Sequence, residues 1–158
     1  MENRPSLSRR PSIARKVSGM TDHPINSQAD LEQVWRELME PLGFSRTSLW
    51  IVFLHPDGRP QKTLIEVPVP ESRLVPDPTA PELLDLLAEW TTEHVPGGRV
   101  AFLRTRPGRG GLDRTDRLWA AALYAAARVA GVPCEVVHAA NDDRLVPVPL
   151  DEIDSVSA

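Results

Sequence analysis

Residues 48–54, Ser-Leu-Trp-Ile-Val-Phe-Leu, form an apolar run rich in aromatic and β-branched types. A strand that alternates apolar and polar residues can leave one face in water, but this one has no polar face to expose. It must lie inside a sheet with both faces covered. A second run of this kind, Val-Ala-Phe-Leu, occupies the centre of residues 99–104. Two such strands in a chain of 158 residues imply a layered α/β domain with helices on the sheet.

The remaining elements follow from period and punctuation. After residues 48–54, His55-Pro56-Asp57-Gly58-Arg59-Pro60 reads as a turn, and Thr63 to Val69 returns as a second strand until Pro68 and Pro70 stop it, which predicts a hairpin. Upstream, Ser27 and Asp30 are spaced as a weakened capping box, and Leu31, Val34, Trp35, Leu38 and Met39 fall on one helical face. Downstream, Pro68, Pro70, Pro76, Pro78 and Pro81 mark an extended connector. Thr79 with Glu82 reads as the capping box of a second helix whose stripe is Leu83, Leu84, Leu87 and Trp90, ended by Pro96-Gly97-Gly98.

The longest periodic segment is 114–130, with Leu118, Trp119, Ala122, Leu123, Ala126 and Val129 on one face. Gly131 supplies a left-handed stop and Pro133 prevents continuation. Short strands are expected at Glu135 to His138 and Leu145 to Val148, around an Asn141-Asp142-Asp143 turn. The expected order is α-β-β-α-β-α-β-β in a single mixed sheet with flanking helices.

Three regions are expected: a disordered basic tail over 1–25, one α/β domain over 26–150, and an acidic tail over 151–158. The first 20 residues carry a net +4, which leaves −8 for the rest of a chain whose total is −4. They show no apolar period and no secretory apolar stretch, so export is not expected and the cytoplasm is the expected location. Met20 offers an alternative start. All but two of the 18 basic residues are arginine, as in GC-rich genomes.

Several function classes drop out. No apolar run reaches the roughly 18 residues that a membrane span needs. A single cysteine, Cys134, excludes an internal disulfide and a Cys-rich zinc module. No phosphate-loop or dinucleotide fingerprint is present. The histidines His23, His55, His94 and His138 are isolated. His55 and His138 each end an expected strand, and with Asp116 they form the weakest reading, a metal hydrolase.

One segment combines strand end, glycine-rich loop and helix start: Leu103 through Asp116. Arg104, Arg106, Arg109, Arg114 and Arg117 crowd there beside the free N–H groups of a helix amino terminus, with Gly108, Gly110 and Gly111 between them. Arg104, Arg106, Arg109, Gly110, Gly111 and Arg114 are therefore candidate ligands for an anion, a nucleotide phosphate or a nucleic acid. Asp113 and Asp116 are spaced as an N-cap and its partner, which needs no ligand at all.

The same segment resembles the metal motif of the RadC-like branch of the JAB/MPN family, where a strand ends in His-x-His-Pro-x-Gly and Ser-x-x-Asp opens the next helix. The element order agrees over about residues 28–149. Carried over, Arg104 and Arg106 stand where the two histidine ligands belong, Pro107-Gly108 echoes Pro-x-Gly with one residue missing, and Asp116 alone matches a ligand. Thr47 falls where the glutamate base would lie. Arginine has no lone pair to give and is permanently charged. The resemblance thus implies the fold without metal, cofactor or hydrolase, and a function in binding a protein partner.

Overall fold

The computed structural model describes residues 13–17, 20, 22–69, 78, 80–151 and 153. Six strands form one mixed sheet: β1 (Ile13–Lys16), β2 (Ser48–Leu54), β3 (Thr63–Pro68), β4 (Arg99–Thr105), β5 (Val137–Ala140) and β6 (Leu145–Val148), in the spatial order β1-β3-β2-β4-β5-β6. Among the described residues three complete α-helices flank it: α1 (Gln28–Met39), α2 (Pro81–Glu89) and α3 (Arg114–Ala130). From α1 onward the order is α-β-β-α-β-α-β-β, as the sequence predicts. Among the described residues no helix is long and apolar enough to cross a membrane.

β2 lies between β3 and β4, antiparallel to both, which is the interior position its apolar run demands. Alternation along it divides the core into two. Leu49, Ile51 and Phe53 join α2 and α3 on one face, while Val52 and Leu54 join α1 on the other. β4 and β5 are parallel, and α3 supplies the crossover that such a pair requires. Gly131 ends α3 with φ 74°, in the left-handed region that favours glycine.

At the start of α1 the Ser27 hydroxyl accepts from the Asp30 N–H at 3.1 Å, and the Asp30 carboxylate accepts from the Asn26 N–H at 3.0 Å. The expected cap of α2 is not seen. Thr79 lies outside the described residues, Ala80 is the N-cap without a side-chain bond, and Pro81 occupies the first helical position, where its missing N–H costs nothing.

The tail expected over 1–25 is corrected by the structure in the part it describes, from Ile13 onward. Ile13–Lys16 pair antiparallel with Thr63–Glu66 and add a sixth strand at the sheet edge. Met20 and Ile25 are buried in the α1-side core, and the Ile25 N–H donates to the Gly58 carbonyl at 2.8 Å. A four-residue edge strand and two isolated apolar anchors have no period to read, so the segment looks like a tail in one dimension. Residues 1–12, the proline-rich stretch 70–77 and most of 151–158 lie outside the described residues.

Candidate functional site

The end of β4 continues the alternation of that strand. Val100 and Phe102 pack in the core shared with α2 and α3, and Arg104, next on the same face, reaches the start of α3. There Asp113 caps the helix: its carboxylate accepts from the Asp116 N–H at 2.7 Å, and Asp116 returns the bond by accepting from the Asp113 N–H at 3.0 Å. The capping expected for these two residues is present in both directions.

Asp116 does more than cap. Its Oδ1 accepts from Arg104 Nη1 and from Arg106 Nε, the latter at 2.9 Å, and its Oδ2 accepts from Arg106 Nη2 at 2.8 Å. Arg106 is thus bidentate. Counting the Asp113 N–H, this one carboxylate accepts four hydrogen bonds, about the number its lone pairs permit. Arg104 and Asp116 are both buried, and the Arg104 guanidinium lies 5.4 Å from the Trp119 ring centroid.

The electrostatics follow from burial and pairing. Burial alone would raise the Asp116 carboxyl, but the Arg106 and Asp113 hydrogen bonds and the two cations more than offset it, so it sits below its ordinary range. Burial pushes the Arg104 guanidinium down against the pull of Asp116, while Arg106 is pushed up, chiefly by its hydrogen bond to Asp116. Two cations thus converge on one carboxylate, and the more exposed Asp113 carboxylate approaches Arg106 at 3.5 Å.

Of the other candidates, Gly110 and Gly111 line a cleft with Arg106, but the two remaining arginines do not join them there. Arg109 is 78% exposed and lies a loose 3.7 Å from Asp143, and Arg114 is exposed at the helix start. Gly108 and Gly110 have φ of 113° and 98°, so the loop needs their conformational freedom. The loop is tied down by residues read only as a turn. The Asp142 carboxylate accepts from the Gly108 N–H at 3.0 Å and the Phe44 N–H at 2.8 Å, and Asn141 Nδ2 donates to the Gly110 carbonyl at 2.9 Å. The Asn-Asp-Asp composition was the signal available; its reach back to positions 108–110 was not. A cleft between Arg106, Gly111, Ala139, Asn141, Arg144 and Val146 leaves about 10 Å³, room for a single water molecule.

This arrangement does not fit a hydrolytic zinc. Such a metal needs lone-pair donors and an open position, whereas two guanidinium groups and an already saturated carboxylate stand here. Thr47 contributes no carboxylate, and its carbonyl accepts from the Val69 N–H at 2.9 Å. His55, His138 and Asp116 do not come within metal-binding distance of one another among the described residues. Burial pushes the Cys134 thiol up to about 12, which keeps it protonated at neutral pH. No family model, no curated protein and no solved structure matches the chain.

His138 stands apart from this cluster, on the α1 side of β5. It is fully buried, with Nδ1 against the Val136 carbonyl at 3.1 Å and Nε2 without a hydrogen-bond partner among the described residues. Burial pushes its imidazole below the ordinary value of 6.5, the Val136 carbonyl and Glu32 oppose the shift, and Arg36 adds to it. The unfolded chain therefore takes up a proton near pH 6.5 that the folded chain rejects. Stability from this residue is present above that pH and falls as the pH drops through the window below it. The loss is about 1.4 kcal/mol for each unit of depression traversed. Thermal melts between pH 7.5 and 5 should show this slope in the wild type and a flatter one in His138→Gln. Equal slopes would contradict the assignment.

Proposed function

We propose that this chain is a non-catalytic α/β binding domain, a relative of the JAB/MPN fold whose metal centre has been replaced by an ion cluster, and that it works by holding a protein partner. The observation that carries the reading is the saturation of Asp116. The one carboxylate that matches a ligand of that family already accepts from Arg104, Arg106 and the Asp113 N–H. A zinc ion would have to displace two cations from a buried site with room for about one water.

The test follows the side-chain Nε–H resonances of Arg104 and Arg106 while zinc is added to the purified chain, with amide and isopeptide hydrolysis measured in the same samples. The expected result is no displacement of the two signals and no hydrolysis. Zinc-induced release of both arginines from Asp116 would overturn the reading.

A second reading, anion or nucleic-acid binding, rests on the arginines that remain outside the cluster. Arg109 and Arg144 are solvent-exposed and only loosely paired, at 3.7 and 3.8 Å from Asp143. It requires that phosphate or an oligonucleotide raise the melting temperature at low salt, and that Arg109→Gln remove the effect.

A further inference from the structure

Past Glu89, α2 does not stop as an ordinary helix. The chain runs on from it into a further turn, Trp90–His94, wound as a π-helix and closed by the Val95 N–H donating to the Trp90 carbonyl at 2.8 Å. The local chemistry accounts for this. The Thr91 hydroxyl donates to the Leu87 carbonyl at 2.7 Å, a back-bond that loosens the α-ladder at the pair Thr91-Thr92. Trp90 stacks on buried Phe53 with ring centroids 5.2 Å apart, and Val95 is fully buried beyond the turn. Two anchors in the core thus hold a turn that holds one residue more than usual.

That extra residue changes which side chains meet. In an α-helix a residue five positions on lies about 140° round the axis, so Glu89 and His94 would face apart. In the wider turn, positions four and five residues on come to either side of the first. The donor atoms of Glu89, Glu93 and His94 accordingly lie within 4.8 Å of one another, all on exposed side chains. The His94 ring rests against the Trp90 indole at 4.2 Å between centroids, which limits its orientations. Among the described residues neither Glu89 nor Glu93 has a cationic partner, although like charges four apart on a helix repel.

We propose that Glu89, Glu93 and His94 form a surface zinc site, with water completing a tetrahedral shell. One imidazole nitrogen and two carboxylate oxygens are a donor set that zinc accepts. Ligands about 2.0–2.2 Å from a tetrahedral ion lie about 3.4 Å apart, a contraction that exposed side chains can make by small torsional changes. The site is independent of the Asp116 cluster and stands whether or not the proposed function does.

The experiment is calorimetric titration of the full-length chain, freed of metal by a chelator, with zinc chloride. The histidine ring resonances are followed in parallel. One zinc per chain is expected, with perturbation centred on His94. His94→Ala and Glu89→Gln should each weaken binding by at least about tenfold, the loss that changing even an outer partner costs a metal site. Both variants should stay folded without metal, because neither side chain is buried, so the loss reads metal ligation rather than unfolding. Absence of saturable zinc binding, or binding that survives His94→Ala undiminished, would overturn the proposal.

Discussion

Asp116→Ala is expected to cost about 3–5 kcal/mol, because it strands a buried guanidinium without its counter-charge. Arg104 is only 6% exposed and its Nε already lacks a hydrogen-bond partner among the described residues, so the charge left behind is largely shut off from water. Arg106 loses a bidentate partner and Asp113 loses the bond to its N–H, so the helix cap is weakened as well. Urea unfolding with a fixed slope measures the loss directly. Removing the stranded charge in the double variant Arg104→Met, Asp116→Ala should recover part of it, which makes the coupling between the two sites measurable. A cost below about 1 kcal/mol for Asp116→Ala would place it with surface ion pairs and refute the account of a buried cluster.

A comparable loss, about 3 kcal/mol, is expected from Gly98→Ala, for a different reason. A Cβ at Gly98 would meet the Leu54 carbonyl oxygen and lie 2.8 Å from the Val95 carbonyl oxygen, both backbone atoms that no rotamer change can move. The start of β4 is paired with the end of β2 at this point, so relieving the clash means parting two central strands. Gly97 is the internal control. Its φ is 74° and the nearest atom to an added Cβ is a Pro56 side-chain carbon at 3.6 Å, so alanine there pays only the left-handed backbone penalty of about 1–2 kcal/mol. Thermal melts of the two variants should separate them clearly; equal losses would show that turn conformation, not strand approach, sets the requirement.

Adjacent Gly97 and Gly98 show where reading a sequence stops. Pro96-Gly97-Gly98 says that a helix ends, and it does, but nothing in the letters distinguishes a glycine needed for its dihedral angle from one needed for the space beside it. The second requirement is set by Leu54, distant in sequence. Asp116 repeats the lesson. Its spacing from Asp113 announces a cap, a local bond that a short window of sequence contains. Its pairing with Arg104 and Arg106 depends on β4 delivering both arginines to the start of α3, and this turns residues that looked available to an anion into partners already engaged.

The sequence by itself determined the local elements and their order. Apolar runs without a polar face required interior strands, helical periodicity with Ser27, Asp113 and Gly131 bounded two of the three helices, and Asp57-Gly58 reversed the chain between β2 and β3. These are decided by forces acting within a few residues. Tertiary structure alone decided the rest: that Ile13–Lys16 becomes an edge strand, that Met20 and Ile25 are core, that His138 is buried beside α1, and that the turn after α2 widens to bring Glu89, Glu93 and His94 together. Each of these depends on what a distant segment offers, a free sheet edge, an apolar hollow or the Phe53 ring to stack on, and such a partner leaves no period or spacing in the residues it captures.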